Sequence, residues 1–306
     1  MKYLIILFLF SMTLSTVSCK KEAINNPDPV AKDTPVLLTK VFYTDTTLSA
    51  PYDTMGRYFF QYDDQYRLSE MRFEDWMNAG QIFYSIVSRP AYNGLDSLPT
   101  KIYYVLTTYP SSGVSQIYYD TMNFTYQGNQ RIKDSAHGEQ ILYNRTYTYS
   151  GNNITIQESY PGSPTSSMYS SHNLTFSNGN LIRQQDSIVN VSASTIITEW
   201  YDYQFQFNSH PDPLYRALRH ICRPVVDEDG WTYFSYQRFV NPNLMDHYHY
   251  DRDWISVGGT GGSGTDYNDI TYQYQFRPDG YPLIQYQSMP NGTSFSYFKQ
   301  VYVYNK

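Results

Sequence analysis

The chain has 306 residues, of which 34 are tyrosine and 16% are charged, with a formal net charge of −6 at pH 7. An acidic balance without basic stripes excludes wholesale binding to nucleic acid, because phosphate neutralisation needs clustered cations. Two cysteines, Cys19 and Cys222, exclude a disulfide scaffold.

Residues 1–18 have the layout of an export signal. Lys2 gives the positive start, Tyr3 to Phe10 an apolar run too short to span a bilayer, and Ser11 to Ser18 a small and polar stretch. The Ser18-Cys19 junction fits a lipobox, with Thr16 where leucine is more usual. The expectation is lipidation of Cys19 and attachment to a membrane through acyl chains; ordinary cleavage nearby is the alternative. With Cys19 so used, Cys222 reads as a small apolar core residue. Residues 19–35, rich in Asn, Pro and charge, cannot bury a core and read as a tether. The Cys19-Lys20-Lys21-Glu22 start resembles the export tags of surface lipoproteins in the Bacteroidetes group. That resemblance implies a lipid-anchored place at the outer membrane, with exposure on the cell surface left open.

Residues 36–306 show no comparable break and read as one β domain. Tyr58-Phe59-Phe60-Gln61-Tyr62, Tyr147-Thr148-Tyr149, Tyr203-Gln204-Phe205-Gln206-Phe207 and Tyr272-Gln273-Tyr274-Gln275-Phe276 alternate with a period of two, so each predicts a strand with one aromatic face. A turn of Asn, Asp or Gly follows such runs, and then an apolar residue opens a return strand. Examples are Tyr62-Asp63 to Leu68, Tyr126-Gln127-Gly128-Asn129 to Ile132, and Phe176-Ser177-Asn178-Gly179-Asn180 to Leu181. Tight hairpin turns need positive φ, which these residues tolerate best. The predicted fold is all-β: an extended, curled antiparallel meander of repeated hairpins, an open sheet or partial barrel. The aromatic–turn–Leu/Ile unit from Tyr58 to Tyr304 resembles the YD repeats of Rhs-type proteins and of Bacteroidetes lipoproteins with similar hairpins. The resemblance implies a curled sheet and brings no mechanism.

Two segments depart from this pattern. Asp212-Pro213 precedes Leu214, Ala217, Leu218, Ile221 and Cys222, one apolar helix face with an N-cap and a proline at the first helical position, predicting a short helix over 213–222. Gly258-Gly259-Thr260-Gly261-Gly262-Ser263-Gly264 lacks the Gly-Lys-Ser/Thr of a phosphate loop and reads as a flexible linker between strands.

Chemistry is sparse. His247 and His249 share a strand face within Asp246–Asp253, the weak beginning of a metal site that needs a third ligand such as His210 or His220. Asp227-Glu228-Asp229-Gly230 lacks the later ligands of a calcium loop and reads as a hairpin turn. The seven glutamates form no pair that spacing can single out, and no cofactor motif is present. Asp followed by Ser or Thr and an apolar residue resembles the Bacteroidetes O-glycosylation sequon at Thr46, Thr54, Ser97, Thr121, Ser135 and Ser187; the same dipeptides also begin turns.

Tyr203, Tyr272, Tyr274 and Tyr286 are the candidates for an aromatic binding face, since a tyrosine ring stacks on sugars or packs on a partner. The alternative is that cross-strand tyrosine ladders only stabilise the sheet. The expected function is a lipid-anchored, non-catalytic binding or structural module of the cell envelope, taking a glycan or an envelope protein. Two alternatives stay open: a hydrolase of envelope polysaccharide, and a scaffold without soluble ligand.

Overall fold

The computed structural model describes residues 35–45, 54–77, 81–110, 113–139, 142–160, 167–192, 194–218, 241–258, 261–288 and 298–305. These form sixteen strands and one helix. In chain order they are β1 (Leu38–Asp45), β2 (Thr54–Tyr62), β3 (Leu68–Met77), β4 (Gln81–Tyr92), β5 (Pro99–Thr108), β6 (Gln116–Gln127), β7 (Gln130–Gly138) and β8 (Tyr143–Ser150). The second half continues with β9 (Asn153–Tyr160), β10 (Ser167–Ser177), β11 (Asn180–Val191), β12 (Thr195–Pro211), α1 (Pro213–Leu218), β13 (Asn243–Gly258), β14 (Gly262–Phe276), β15 (Pro282–Ser288) and β16 (Phe298–Tyr304).

Every strand pairs antiparallel with its neighbour in sequence, and β16 returns to pair with β1, so the sheet is a closed barrel. Val41 lies opposite Tyr302 across that last seam, and Leu37 N–H donates to Asn305 Oδ1 at 2.9 Å while Asn305 N–H donates to the Leu37 carbonyl at 3.1 Å. This corrects the expected open or partial curl. A period of two shows that each ribbon has two faces; it does not show whether the last ribbon meets the first.

Alternation sets the two sides of the wall. In β8, Tyr143, Arg145 and Tyr147 are buried while Thr146 and Thr148 are exposed. In β9, Ile154, Ile156 and Glu158 are buried and Thr155, Gln157 and Ser159 are not. Barrels of 16–18 strands can enclose a wide aqueous channel. Here Val41, Ile102, Ile156, Leu174 and Ile188 are 0% exposed, so the inner wall is covered. The interior holds two apolar clusters. One joins Val41, Tyr58, Phe73, Ile102, Met122 and Tyr143 with Ala217 and Leu218 of α1; the other joins Ile156, Leu174, Ile188, Tyr203, Tyr248 and Ile270. The helix begins as the sequence predicts, with Asp212 Oδ1 accepting from Leu214 N–H at 2.8 Å and Pro213 at the first position. Its predicted continuation to Cys222 lies outside the described residues.

The repeat seen in sequence has a structural cause. At the end of β2, β4, β6, β8 and β16 a tyrosine hydroxyl reaches back to a carbonyl at or near the start of the strand before. Tyr62 donates to Leu38, Tyr92 to Leu68, Tyr126 to Pro99, Tyr149 to Arg131 and Tyr304 to Pro282, all at 2.8–3.0 Å. Tyr274 of β14 makes the same contact to Met245. A register shift just before Tyr62, Tyr92 and Tyr126 accompanies the latch. Phe176 ends the matching hairpin of β10 without a hydroxyl, and there Asn178 and Gly179 hold φ of 49° and 80°, the left-handed pair a two-residue turn requires.

The glycine segment is corrected in part: Gly258 and Gly261 lie where β13 gives way to β14, with Gly261 N–H donating to the Gly258 carbonyl at 3.0 Å, and Gly259 and Thr260 lie outside the described residues. Gly262 and Gly264 belong to β14, and Trp254 of β13 lies opposite Gly264. A Cβ at Gly264 would stand 2.6 Å from the indole Nε1, so these glycines form a floor for a tryptophan ring.

Candidate functional site

Inward positions of five consecutive strands place charge inside the barrel. Register carries Asp134 of β7 to Arg145 of β8, Glu158 of β9 and Ser170 of β10, and sets His172 of β10 opposite Asp186 of β11. Asp134 receives the Tyr147 hydroxyl at 2.5 Å, with Arg131 Nη1 at 3.5 Å and Arg145 Nη1 at 3.6 Å. Arg145 Nε donates to Glu158, whose other oxygen lies 3.4 Å from both Ser170 Oγ and His172 Nε2. His172 Nδ1 lies 2.8 Å from Asp186 Oδ1, and Gln184 donates to Asp186 at 2.6 Å. All of these side chains are buried.

Burial alone would hold His172 neutral. Asp186, then Glu158, overcome it and push the imidazole up to about 9. Three basic side chains, Arg131, Arg145 and His172, thus stand among three acidic ones, Asp134, Glu158 and Asp186, the pairing that buried ionisable groups require.

Ser170, His172 and Asp186 have the connectivity of a nucleophile, base and acid, with Ser170 Oγ 3.1 Å from His172 Nε2. The chemistry does not follow. Glu158 competes for the same nitrogen and hydroxyl, and the carboxylates on both sides raise the imidazole, which opposes its taking the serine proton. The arrangement is a buried ionic seam that ties β7 through β11 together.

This seam was not singled out from sequence. Arg145 sits between Tyr143 and Tyr147, Glu158 after Ile156, and Asp186 before Ile188, all on the parity of buried apolar residues. Polar side chains on an apolar parity were the available signal.

The four candidate tyrosines do not make one face. Tyr203 is 2% exposed and stacks inside on Tyr201, Phe205 and Tyr248 at 5.6–6.4 Å. Tyr272 packs against the same interior cluster, and Tyr274 turns inward to the Met245 carbonyl. Tyr286 lies opposite Gln273 and Lys299, on the outer side. The buried aromatic rings fill the barrel because alternation sends them to its inner side, while Tyr103, Tyr119, Trp200 and Tyr267 remain outside.

His247 and His249 do share the outer face of β13, and both turn to Asp269 of β14. His247 Nε2 is 3.2 Å and His249 Nδ1 2.9 Å from Asp269 Oδ1, and His249 Nε2 is 3.2 Å from Asp251. Burial lowers the His249 pKa, and the two aspartates more than offset it. Among the described residues no group of three or more His, Cys, Asp or Glu is placed to hold a metal ion. His220, Asp227 to Gly230, Cys222, Cys19 and Thr46 lie outside the described residues, as does the side chain of Thr54.

Ser97 is exposed in the β4–β5 turn, and Thr121, Ser135 and Ser187 point outward from their strands. The aspartates before the last three, Asp120, Asp134 and Asp186, are buried inside. Two of them serve the seam, which gives the Asp-Ser pattern a second physical source.

Sixteen antiparallel strands closed on themselves around a filled interior define the class: an all-β barrel with one short helix. The chain is similar to a porin-like protein from Bacteroides vulgatus ATCC 8482, at 14% identity and a TM-score of 0.43, over 89% of this chain and 99% of that one. It is also similar to a porin-like protein from Bacteroides uniformis ATCC 8492, at 9% identity and a TM-score of 0.36, over 89% and 98%. No family model matches the chain, so the YD-repeat resemblance gains no support, and no curated protein matches it.

Proposed function

We propose that this chain is a lipid-anchored barrel of the outer membrane whose wall stands in water, acting as a binding or structural module and neither as a channel nor as an enzyme. The observation that carries this reading is the sidedness of the wall. A membrane-spanning barrel is apolar outside and polar within. Here the buried aromatic and aliphatic side chains face inward, those outside gather in patches, and outward strand positions hold Arg72, Arg89, Lys101, Lys133, Arg183 and Asp251. A cation at the bilayer midplane costs about 2–4 kcal/mol each. The covered interior argues against conduction, and the engagement of His172 by both Glu158 and Asp186 argues against catalysis at the seam. Attachment then falls to Cys19 at the head of its tether.

The test is fractionation of the full chain carrying Cys19→Ala beside the wild type, with both reconstituted into planar bilayers. The expected result is wild type in the membrane fraction, the variant in the soluble fraction, and no conductance steps from either. A variant that still needs detergent, or stepwise currents, would overturn the proposal.

A further inference from the structure

The outer wall carries two faces of opposite charge on different sides of the barrel. On β1 to β5, Lys40, Arg57, Arg72, Arg89 and Lys101 point outward against Glu70 and Glu74, five cations to two carboxylates among the described residues. The cations alternate with aromatic rings: Arg72 lies 4.5 Å over Phe59, Arg57 lies 4.1 Å over Trp76, and Lys40 lies 5.7 Å from the centre of the Phe59 ring. Phe83, Tyr103 and Tyr119 extend this face with large exposed apolar surface.

On β11 to β14 the balance is reversed. Asp202, Asp251, Asp253 and Asp269 point outward with Arg183, His247 and His249, four carboxylates to one guanidinium and two imidazoles among the described residues. Above them a cross-strand patch brings together Val191, Ile196 and Val257, with Val189, Ile255 and Trp200 in the next positions. Val257 is 62% and Tyr267 69% exposed. Contiguous apolar surface rimmed by charge marks an interaction site.

The two faces are opposite in charge and alike in apolar content. Around the ring, β3 and β13 are six strands apart one way and ten the other, so one molecule cannot bring them together. We propose that the occupant of each face is the opposite face of a second copy of this chain, in a head-to-tail contact that the opposed charges orient. Such a contact is heterologous and leaves an unfilled face at each end, so it extends to further copies. It rests on the reading that the wall stands in water.

The experiment uses the full chain with Cys19→Ala in buffer without detergent, followed by sedimentation velocity over a range of concentrations. Insolubility without detergent would defeat the water-facing wall. A soluble protein that stays monomeric at every concentration would defeat the self-association alone. The expected result is concentration-dependent association at about 0.1 M salt, weakened at least about tenfold at about 1 M, where the screening length falls to ~3 Å. Two further variants, Arg72→Glu with Arg89→Glu and Asp251→Lys with Asp253→Lys, should each lose self-association. Mixed together they should regain it, because each then offers the other a complementary face. Failure of the mixture to associate, with both variants folded, would overturn the orientation proposed.

Discussion

The hydroxyl of Tyr92 donates to the carbonyl of Leu68 at 3.0 Å, joining the last residue of one strand to the first of the strand before it. The Arg67 guanidinium stacks 4.4 Å over the same ring and donates to the Gly94 and Asp96 carbonyls, so two successive hairpin turns are fastened together. Burial raises the phenol to about 12, against the neighbouring Arg67, so it remains a donor across the physiological range.

Replacing Tyr92 by Phe removes that donor while keeping the ring. The expected loss is about 1 kcal/mol, with the Leu68 carbonyl left to find water. Tyr304→Phe, at the far latch, should cost a similar amount, and the two should add because they share no partner. Urea midpoints of the single and double variants check this.

Arg145 bridges Asp134 and Glu158 in the interior. Arg145→Leu would leave two buried carboxylates without their shared cation, at a cost of roughly 3–5 kcal/mol. Glu158→Gln, which keeps the shape and removes one charge, should cost less. Thermal unfolding followed by near-ultraviolet dichroism of the packed tyrosines separates the two.

His172 makes stability depend on pH in a definite direction. Its folded value of about 9 lies above the ordinary 6.5, so its contribution is complete below about pH 6.5 and is lost as pH rises through about 9. Asp212 adds to the same trend at lower pH. Burial lifts its carboxyl to about 7 against the N–H groups of Leu214 and Tyr215, so its contribution is complete below about pH 4 and is lost as pH rises through about 7. Urea midpoints between pH 6 and pH 10 should fall, and His172→Gln should flatten the upper part of that curve. An unchanged upper slope would remove His172 from the account.

Gly264→Val should push the Trp254 ring off its floor. The expected signs are a red-shifted tryptophan emission and a loss of about 1–3 kcal/mol from overpacking.

The hairpins were legible because alternation and turn chemistry are local: Tyr62-Asp63 and Tyr126 to Ile132 mark strand ends that the structure keeps. The helix start at Asp212-Pro213 was legible for the same reason. Closure was not, since it depends on Val41 finding Tyr302 across most of the chain. Nor was the seam, because Asp134 and Asp186 look like turn residues until their neighbours' parity is followed inward. Gly262 and Gly264 misled for a related reason: only the partner strand shows that Trp254 occupies the missing side chains' space.

The pairing of β1 with β16 has a consequence for the order of folding. In this strand order the ring shuts only when residues 298–304 reach the free edge of β1. Until then β1 has β2 on one side and a bare row of backbone donors and acceptors on the other. The contact that covers that row spans most of the chain, so it carries a high loop-closure cost and comes late, and the waiting edge is where a second polypeptide could pair by mistake.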